Sequence, residues 1–303
     1  MSALVTIVVS GGGASEKMLT TCLGALERHR GETRSKTLLV APSHQMAESW
    51  EVAENMKVPF RSFGVGRDKL SGSRTHASVL DQVVPHVETP YMLTLDADCF
   101  PVADDWLDEL MDMIAEGASV AGILHPYAPP HVATMAMSAS SIEYRIRSQL
   151  CSLNTHVACQ LVGVSTLTRR LKVGFSDGDD TGLAIPVRAR EMGMRVRGLP
   201  LTGCARPDRD FQEMESNREC CLLFGDKVYH HGGGSRELQG RGSPLAAWEP
   251  VRKQVLDKGG AEFLLEDPYR YSFSHEEEVA DEMVRRIMRG MRIYLETHDR
   301  AFG

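Results

Sequence analysis

Residues 91–101 read YMLTLDADCFP. The run from Tyr91 to Leu95 has the length and residue types of a buried strand, and it ends in two aspartates one residue apart, followed by a proline. Alternate residues of a strand share a face, so Asp96 and Asp98 are expected on one side. Two carboxylates held together repel unless a cation lies between them or one keeps its proton. An all-oxygen pair suits a hard cation, Mg²⁺ or Mn²⁺, and does not favour zinc. The plainer reading is that one of the two caps a helix beginning near Asp104.

Outward from this stretch, strand and helix patterns alternate. LVTIVVS (4–10) is a β-branched run closed by Gly11-Gly12-Gly13, and the next segment places Leu19, Cys22, Leu23 and Leu26 on one helical face. KTLLVAPS (36–43) reads as a second strand, residues 49–56 as a helix and residues 58–66 as a third strand. Residues 73–87 read as a helix with Ala77, Leu80 and Val84 inward, and residues 104–116 as an amphipathic helix with acids in its first turn. Alternation over some 120 residues predicts an α/β fold, a mostly parallel sheet with helices on both faces. Ligands in such sheets bind beyond the carboxyl ends of the strands, so the Gly-rich turn and the aspartates should share a rim. Further on, 158–171 reads as a strand region, 180–193 as a helix with an early proline, and 194–201 as a short strand. Residues 133–150 and 275–298 have helical patterns, the second with Val279, Met283, Ile287, Met291 and Tyr294 in one stripe.

The 303 residues carry 42% hydrophobic and 25% charged side chains, the composition of an ordinary soluble protein long enough for a substantial core. No stretch reaches the length needed to span a bilayer, and the N-terminus lacks the basic region of a signal peptide, so a cytoplasmic location is expected. The seven cysteines are odd in number and form no CxxC pair, which argues for reduced, mostly structural thiols. A net charge of −7 speaks against a general nucleic-acid coat. Residues 141–210 nevertheless hold eleven Lys/Arg against seven Asp/Glu, a balance of +4 that would serve an anionic ligand or simply a mixed surface.

The segment LTLDADCFPVADDWLDEL resembles the DxD region of GT-A fold glycosyltransferases, in particular the family 2 group. Three further pieces resemble that family in the same order. They are VTIVVSGGGASEKMLTTCLGAL at the opening, SGSRTHASVLDQVVPHVETPYMLTLDAD before the DxD, and FSDGDDTGLAIPVRAREMGMRVRGLPL, an acidic turn opening a helix; VYHHGGGSR then resembles the family's late histidine element. The resemblance covers about residues 4–236. It implies a GT-A domain over 1–236, with a nucleotide-sugar donor half at 1–120 and an acceptor and catalytic half at 121–236. Residues 237–303 would follow as a C-terminal loop and amphipathic helix, a helical extension.

The resemblance also implies a function, metal-dependent inverting transfer of a sugar, of hexosyltransferase type, from a nucleotide-sugar donor to an acceptor hydroxyl. Asp98 would be the direct ligand of Mn²⁺ or Mg²⁺, Asp96 a ribose contact or a second ligand, and His230 a metal or phosphate contact. Ser10, Gly11, Gly12 and Arg74 would bind the donor, with Arg236 pairing with diphosphate charge beside the flexible Gly232–Gly234. Asp180 would be the catalytic base and Asp179 its partner, while Asp177 is a nearby rival. The same acids would serve equally as helix caps. His76 has no assigned role at this level.

Two departures bear on the donor. The acid that such enzymes present after the second strand is absent from VAPSHQ, and the usual first turn is replaced by Ser10-Gly11-Gly12-Gly13, so the base is left open. The acceptor is open too: a glycan, a small molecule, a modified nucleic-acid base, or a lipid-linked species if Arg285, Arg286, Arg289 and Arg292 face a membrane surface. One rival is a nucleotidyltransferase acting on a sugar phosphate, with Lys17 following the Gly-rich turn; another is a non-catalytic nucleotide-sugar-binding protein.

Overall fold

The computed structural model describes residues 2–65, 72–123, 157–177, 181–199, 201–204, 221–231 and 269–270. Residues 133–150 and 275–298, both read as helical, lie outside these. Strand β1 (Val5–Ser10) is buried along its whole length, as its unbroken β-branched run requires of a central strand. Its neighbours are β2 (Ser35–Pro42) on one side and β4 (Tyr91–Asp96) on the other, both parallel to it. Outside β2 lies β3 (Phe60–Phe63); outside β4 lie β7 (Cys159–Gly163), β6 (Val120–Ile123) and β8 (Val196–Gly198), giving the order β3-β2-β1-β4-β7-β6-β8. Only β7 runs antiparallel to its neighbours, so the sheet is mostly parallel, as the alternating pattern predicts.

Helix α1 (Glu16–Arg28) starts where the Ser15 hydroxyl accepts the N–H of Met18, and it buries Leu19, Cys22, Leu23 and Leu26 together. Helices α1 and α4 (Trp106–Ala115) cover one face of the sheet, and α3 (Gly72–Val83) and α5 (Ala184–Glu191) cover the other, with a separate apolar core on each face. Helix α2 (Ala47–Met56) packs beside α1 and stops at Lys57, whose backbone is left-handed. The inward residues of α3 are Ala77, Val79, Leu80 and Val83; the expected Val84 begins a 3-10 turn at the Pro85 break and is only partly buried.

A second sheet of five antiparallel strands, β12-β9-β10-β11-β5, was not foreseen from the sequence. It joins β5 (Cys99–Pro101), β9 (Leu201–Cys204), β10 (Cys221–Phe224), β11 (Val228–His231) and β12 (Tyr269–Arg270). It packs onto the core shared with α1 and α4 through Phe224, Val228 and Tyr229, and the rings of Phe100 and Tyr229 stack at 5.9 Å. The stretch 91–98 is therefore not one strand. It breaks at Asp96, turns through Ala97 and Asp98, and re-enters the second sheet at Cys99.

Candidate functional site

Strand order reverses between β1 and β4, the switch point at which an open α/β sheet leaves a crevice beyond its strand ends. Ser10 and Asp96 are register partners there, and both point to the α3 face. The turn that follows brings Asp98 alongside; turning, rather than strand alternation, is what places the two carboxylates together. His230 arrives from β11, because β11 pairs with β5 and sets His230 opposite Cys99. One ligand atom each from Asp96, Asp98 and His230 lie within 4.8 Å of one another. Asp98 and His230 are 2% and 3% exposed.

Each carboxylate has an imidazole beside it. His230 Nε2 stands 3.6 Å from Asp98 Oδ1, and His76 Nε2 stands 3.6 Å from Asp96 Oδ1. Those separations exceed a hydrogen bond. They fall between the spacings of adjacent and opposite ligands around one octahedral ion, about 3 Å and about 4 Å when bonds are near 2.1 Å, so a small shift of the side chains would suffice to share an ion. Two buried or half-buried carboxylates with one imidazole are thus a donor set that fits a divalent cation, and the nitrogen shifts the preference towards Mn²⁺ over Mg²⁺. His76 is the residue here that sequence reasoning left without a role; its register on α3, one turn before the buried Leu80, was the available signal.

The turn is pinned from below. The Cys22 thiol of α1 donates to the carbonyls of Cys99, at 3.5 Å, and Asp96, at 3.9 Å. Cys22, Cys99 and Cys159 are free and buried, in keeping with structural thiols. Burial, reinforced by the charges of Asp98 and Asp96, pushes the Cys22 thiol far above its usual range, and burial pushes Cys159 up to about 12. These thiols stay protonated and are not nucleophiles.

The other site residues predicted from sequence fare differently. Helix α4 begins at Trp106, and its N-cap position is Asp105 rather than Asp96 or Asp98. Gly11 and Gly12 sit at the rim, and packing also leaves them no room for a side chain: a Cβ on Gly11 would meet Ser49 Oγ at 2.5 Å, and one on Gly12 would meet Pro42 Cδ at 2.8 Å. Arg74 is exposed on α3, two positions from His76 and so on a different face of the helix. Asp177 closes a local turn by accepting the Gly174 N–H at 2.7 Å. Asp179, Asp180 and Arg236 lie outside the described residues.

No family model and no curated protein sequence matches the chain. Similar folds occur among solved structures. A mannosyltransferase from Pyrobaculum calidifontis, solved with GDP-Man and Mn²⁺, is 15% identical with a TM-score of 0.44, over 66% of this chain and 55% of that one. The present chain thus spans little more than half of that enzyme. Glucosyl-3-phosphoglycerate synthase from Mycobacterium tuberculosis, solved with Mn²⁺, UDP and glucosyl-3-phosphoglycerate, is 12% identical with a TM-score of 0.44, covering 71% of this chain and 77% of that one. A 4-diphosphocytidyl-2C-methyl-D-erythritol synthase is 15% identical with a TM-score of 0.41, over 65% and 88%. Among the described residues, no helix is long and apolar enough to cross a membrane.

Proposed function

We propose that the chain is a metal-dependent, inverting glycosyltransferase that moves a hexose from a nucleotide-sugar donor to an acceptor hydroxyl. The observation that carries this reading is the convergence of Asp96, Asp98 and His230 at the switch point of the sheet, two of them buried. Asp98 and His230 would hold Mn²⁺ or Mg²⁺, with Asp96 as third ligand or as the contact to the donor ribose. A divalent cation held there supplies Lewis-acid stabilisation of the charge that builds on the leaving diphosphate.

The protein's own groups do the rest. Ser10 and the glycine turn border the crevice next to Asp96, where a donor diphosphate would lie. Arg74 and Arg236 would neutralise phosphate charge. Asp180, supported by Asp179, accepts the proton of the acceptor hydroxyl as its oxygen bonds to the anomeric carbon. The anomeric C–O bond breaks on the opposite face, and its electron pair leaves with the nucleoside diphosphate. The anomeric carbon carries oxocarbenium character between the two bonds. The acceptor is a glycan, a lipid-linked species or a small molecule.

Thermal-shift measurements with UDP, GDP, CDP and their sugars, with and without Mn²⁺, test this on wild type and Asp98→Ala. A Mn²⁺-dependent rise in Tm with one nucleoside diphosphate, absent in Asp98→Ala, is expected. No rise with any of them sinks the donor site. A rise with a nucleoside triphosphate but none with nucleotide sugars would move the reading to nucleotidyl transfer.

A further inference from the structure

Asp81 lies in the last turn of α3, where a negative charge meets the unfavourable end of the helix dipole, so its value must come from outside the helix. Its carboxylate reaches the segment 174–176. Oδ1 accepts the Phe175 N–H at 2.5 Å; Oδ2 accepts the Ser176 N–H at 3.1 Å and also the Ser176 hydroxyl. Gly174 is shaped to this contact, since a Cβ there would lie 2.7 Å from Asp81 Oδ1. Phe175 is anchored in the core beneath α3 and α5. Its carbonyl accepts the Gly182 N–H at 3.0 Å, and the Thr181 carbonyl accepts the Val157 N–H at 3.4 Å. The three residues between Asp177 and Thr181, which include Asp179 and Asp180, are thus flanked on both sides by backbone tied to α3, the core and the sheet.

The same helix carries His76, five residues earlier and about 7.5 Å along its axis, beside Asp96. Helix α3 therefore reaches both Asp96, through His76, and the segment leading to residues 178–180, through Asp81. We infer that Asp81 is a positioning residue, tying the segment that leads into Asp179–Asp180 to the helix that borders the Asp96–Asp98–His230 group. This rests on the reading of Asp180 as base. Under it, the described backbone on the near side of the base, residues 174–177, is held to one helix. Charge-assisted hydrogen bonds suit that task, being shorter and stronger than those between neutral groups.

The test compares wild type, Asp81→Asn and Ser176→Ala. In Asp81→Asn, an amide nitrogen replaces one acceptor and faces donors. Mn²⁺-dependent release of nucleoside diphosphate from UDP-glucose, UDP-N-acetylglucosamine and GDP-mannose is measured with water as acceptor, alongside amide exchange. We expect kcat in Asp81→Asn to fall by about 100-fold, the scale of a roughly ångström-sized misplacement. KM for the donor and the Mn²⁺-dependent Tm rise should stay unchanged, and Ser176→Ala, which removes one of three contacts, should lose less. Amide exchange across 173–177 should rise by about tenfold or more, with that of 91–96 unmoved. Equal loss in KM and in the Tm rise would reduce Asp81 to a general structural role and overturn the inference. So would unchanged kcat or unchanged exchange. A wild type that neither turns over nor binds any of these donors overturns both the inference and the reading beneath it; an active wild type matched by Asp81→Asn overturns the inference alone.

Discussion

The two ends of the main sheet use the same side chains in opposite ways. At the end where β2 begins, acids are closed by donors. Asp108 of α4 accepts the N–H of Glu32 at 3.0 Å, the N–H of Thr33 at 2.7 Å and the Thr33 hydroxyl at 2.5 Å, while His29 Nδ1 meets Asp104 Oδ1 at 2.7 Å. At the other end, the His230–Asp98 and His76–Asp96 pairs stand at 3.6 Å, too far for a direct bond and close enough to share an ion. Keeping acids and imidazoles spaced apart around a buried point costs stability, because desolvated like charges repel. The carboxylates gathered beside imidazoles at the switch point are where function is expected, and the hydrogen-bonded ones at the far end help secure the fold.

The most damaging way to break that contrast is to remove the imidazole supplied by the second sheet. His230→Asn keeps a polar side chain on β11 but withdraws the ring nitrogen from Asp98. Mn²⁺ affinity, read by electron paramagnetic resonance of the free ion, should fall by at least about 10- to 100-fold, since even a supporting partner of a ligand is worth that much. Unchanged affinity would make His230 a packing residue.

A smaller effect is expected at the other feature of the functional rim. Gly11→Ala forces a Cβ against Ser49 Oγ and within 3.2 Å of Leu19 and Leu39, so stability should fall by about 1–3 kcal/mol. Mn²⁺ affinity should be untouched. Ser49→Ala removes the closest atom, and the pair Gly11→Ala/Ser49→Ala should recover part of the loss in a double-mutant cycle of urea midpoints. Absence of recovery, together with weakened nucleotide binding, would mean that Gly11 is needed bare for a ligand after all.

How much of this could be read beforehand follows from the range of the interactions involved. The β-branched run of β1 and the apolar stripe of α1 are local patterns, so the parallel half of the sheet and its helices were legible. The pairing of β5 with β11 joins residues some 130 positions apart and leaves no periodicity in a three-residue strand, so the second sheet was not. That pairing is also what delivers His230 to Asp98. The motif pointed to both residues, while the reason they meet lay in the tertiary structure. His76 went unassigned for a related cause: a lone histidine on a helix acquires meaning only once the helix is docked against Asp96. The glycines of the first turn illustrate another limit: the steric demand that Ser49 and Pro42 place on Gly11 and Gly12 leaves no mark in the sequence apart from the glycines themselves.

The closed end offers the smallest effect and the clearest sign. Partial burial alone would push the Asp108 carboxyl up, but the Glu32 N–H, the Thr33 hydroxyl and N–H and the charge of Lys227 outweigh it and hold the group below its ordinary value of 3.8. A carboxyl depressed in the folded state contributes stability above the unfolded value, and loses it as pH falls through the folded one. Asp108→Asn should therefore lower the urea midpoint at pH 7, by no more than about 1 kcal/mol given its exposure to solvent. The gap between wild type and variant should narrow as the pH drops below about 4. A gap that is constant across that window would mean that Asp108 acts through its shape alone. A gap that appears only with Mn²⁺ present would tie the two ends of the sheet together, against a division between charges that secure the fold and charges that hold a ligand.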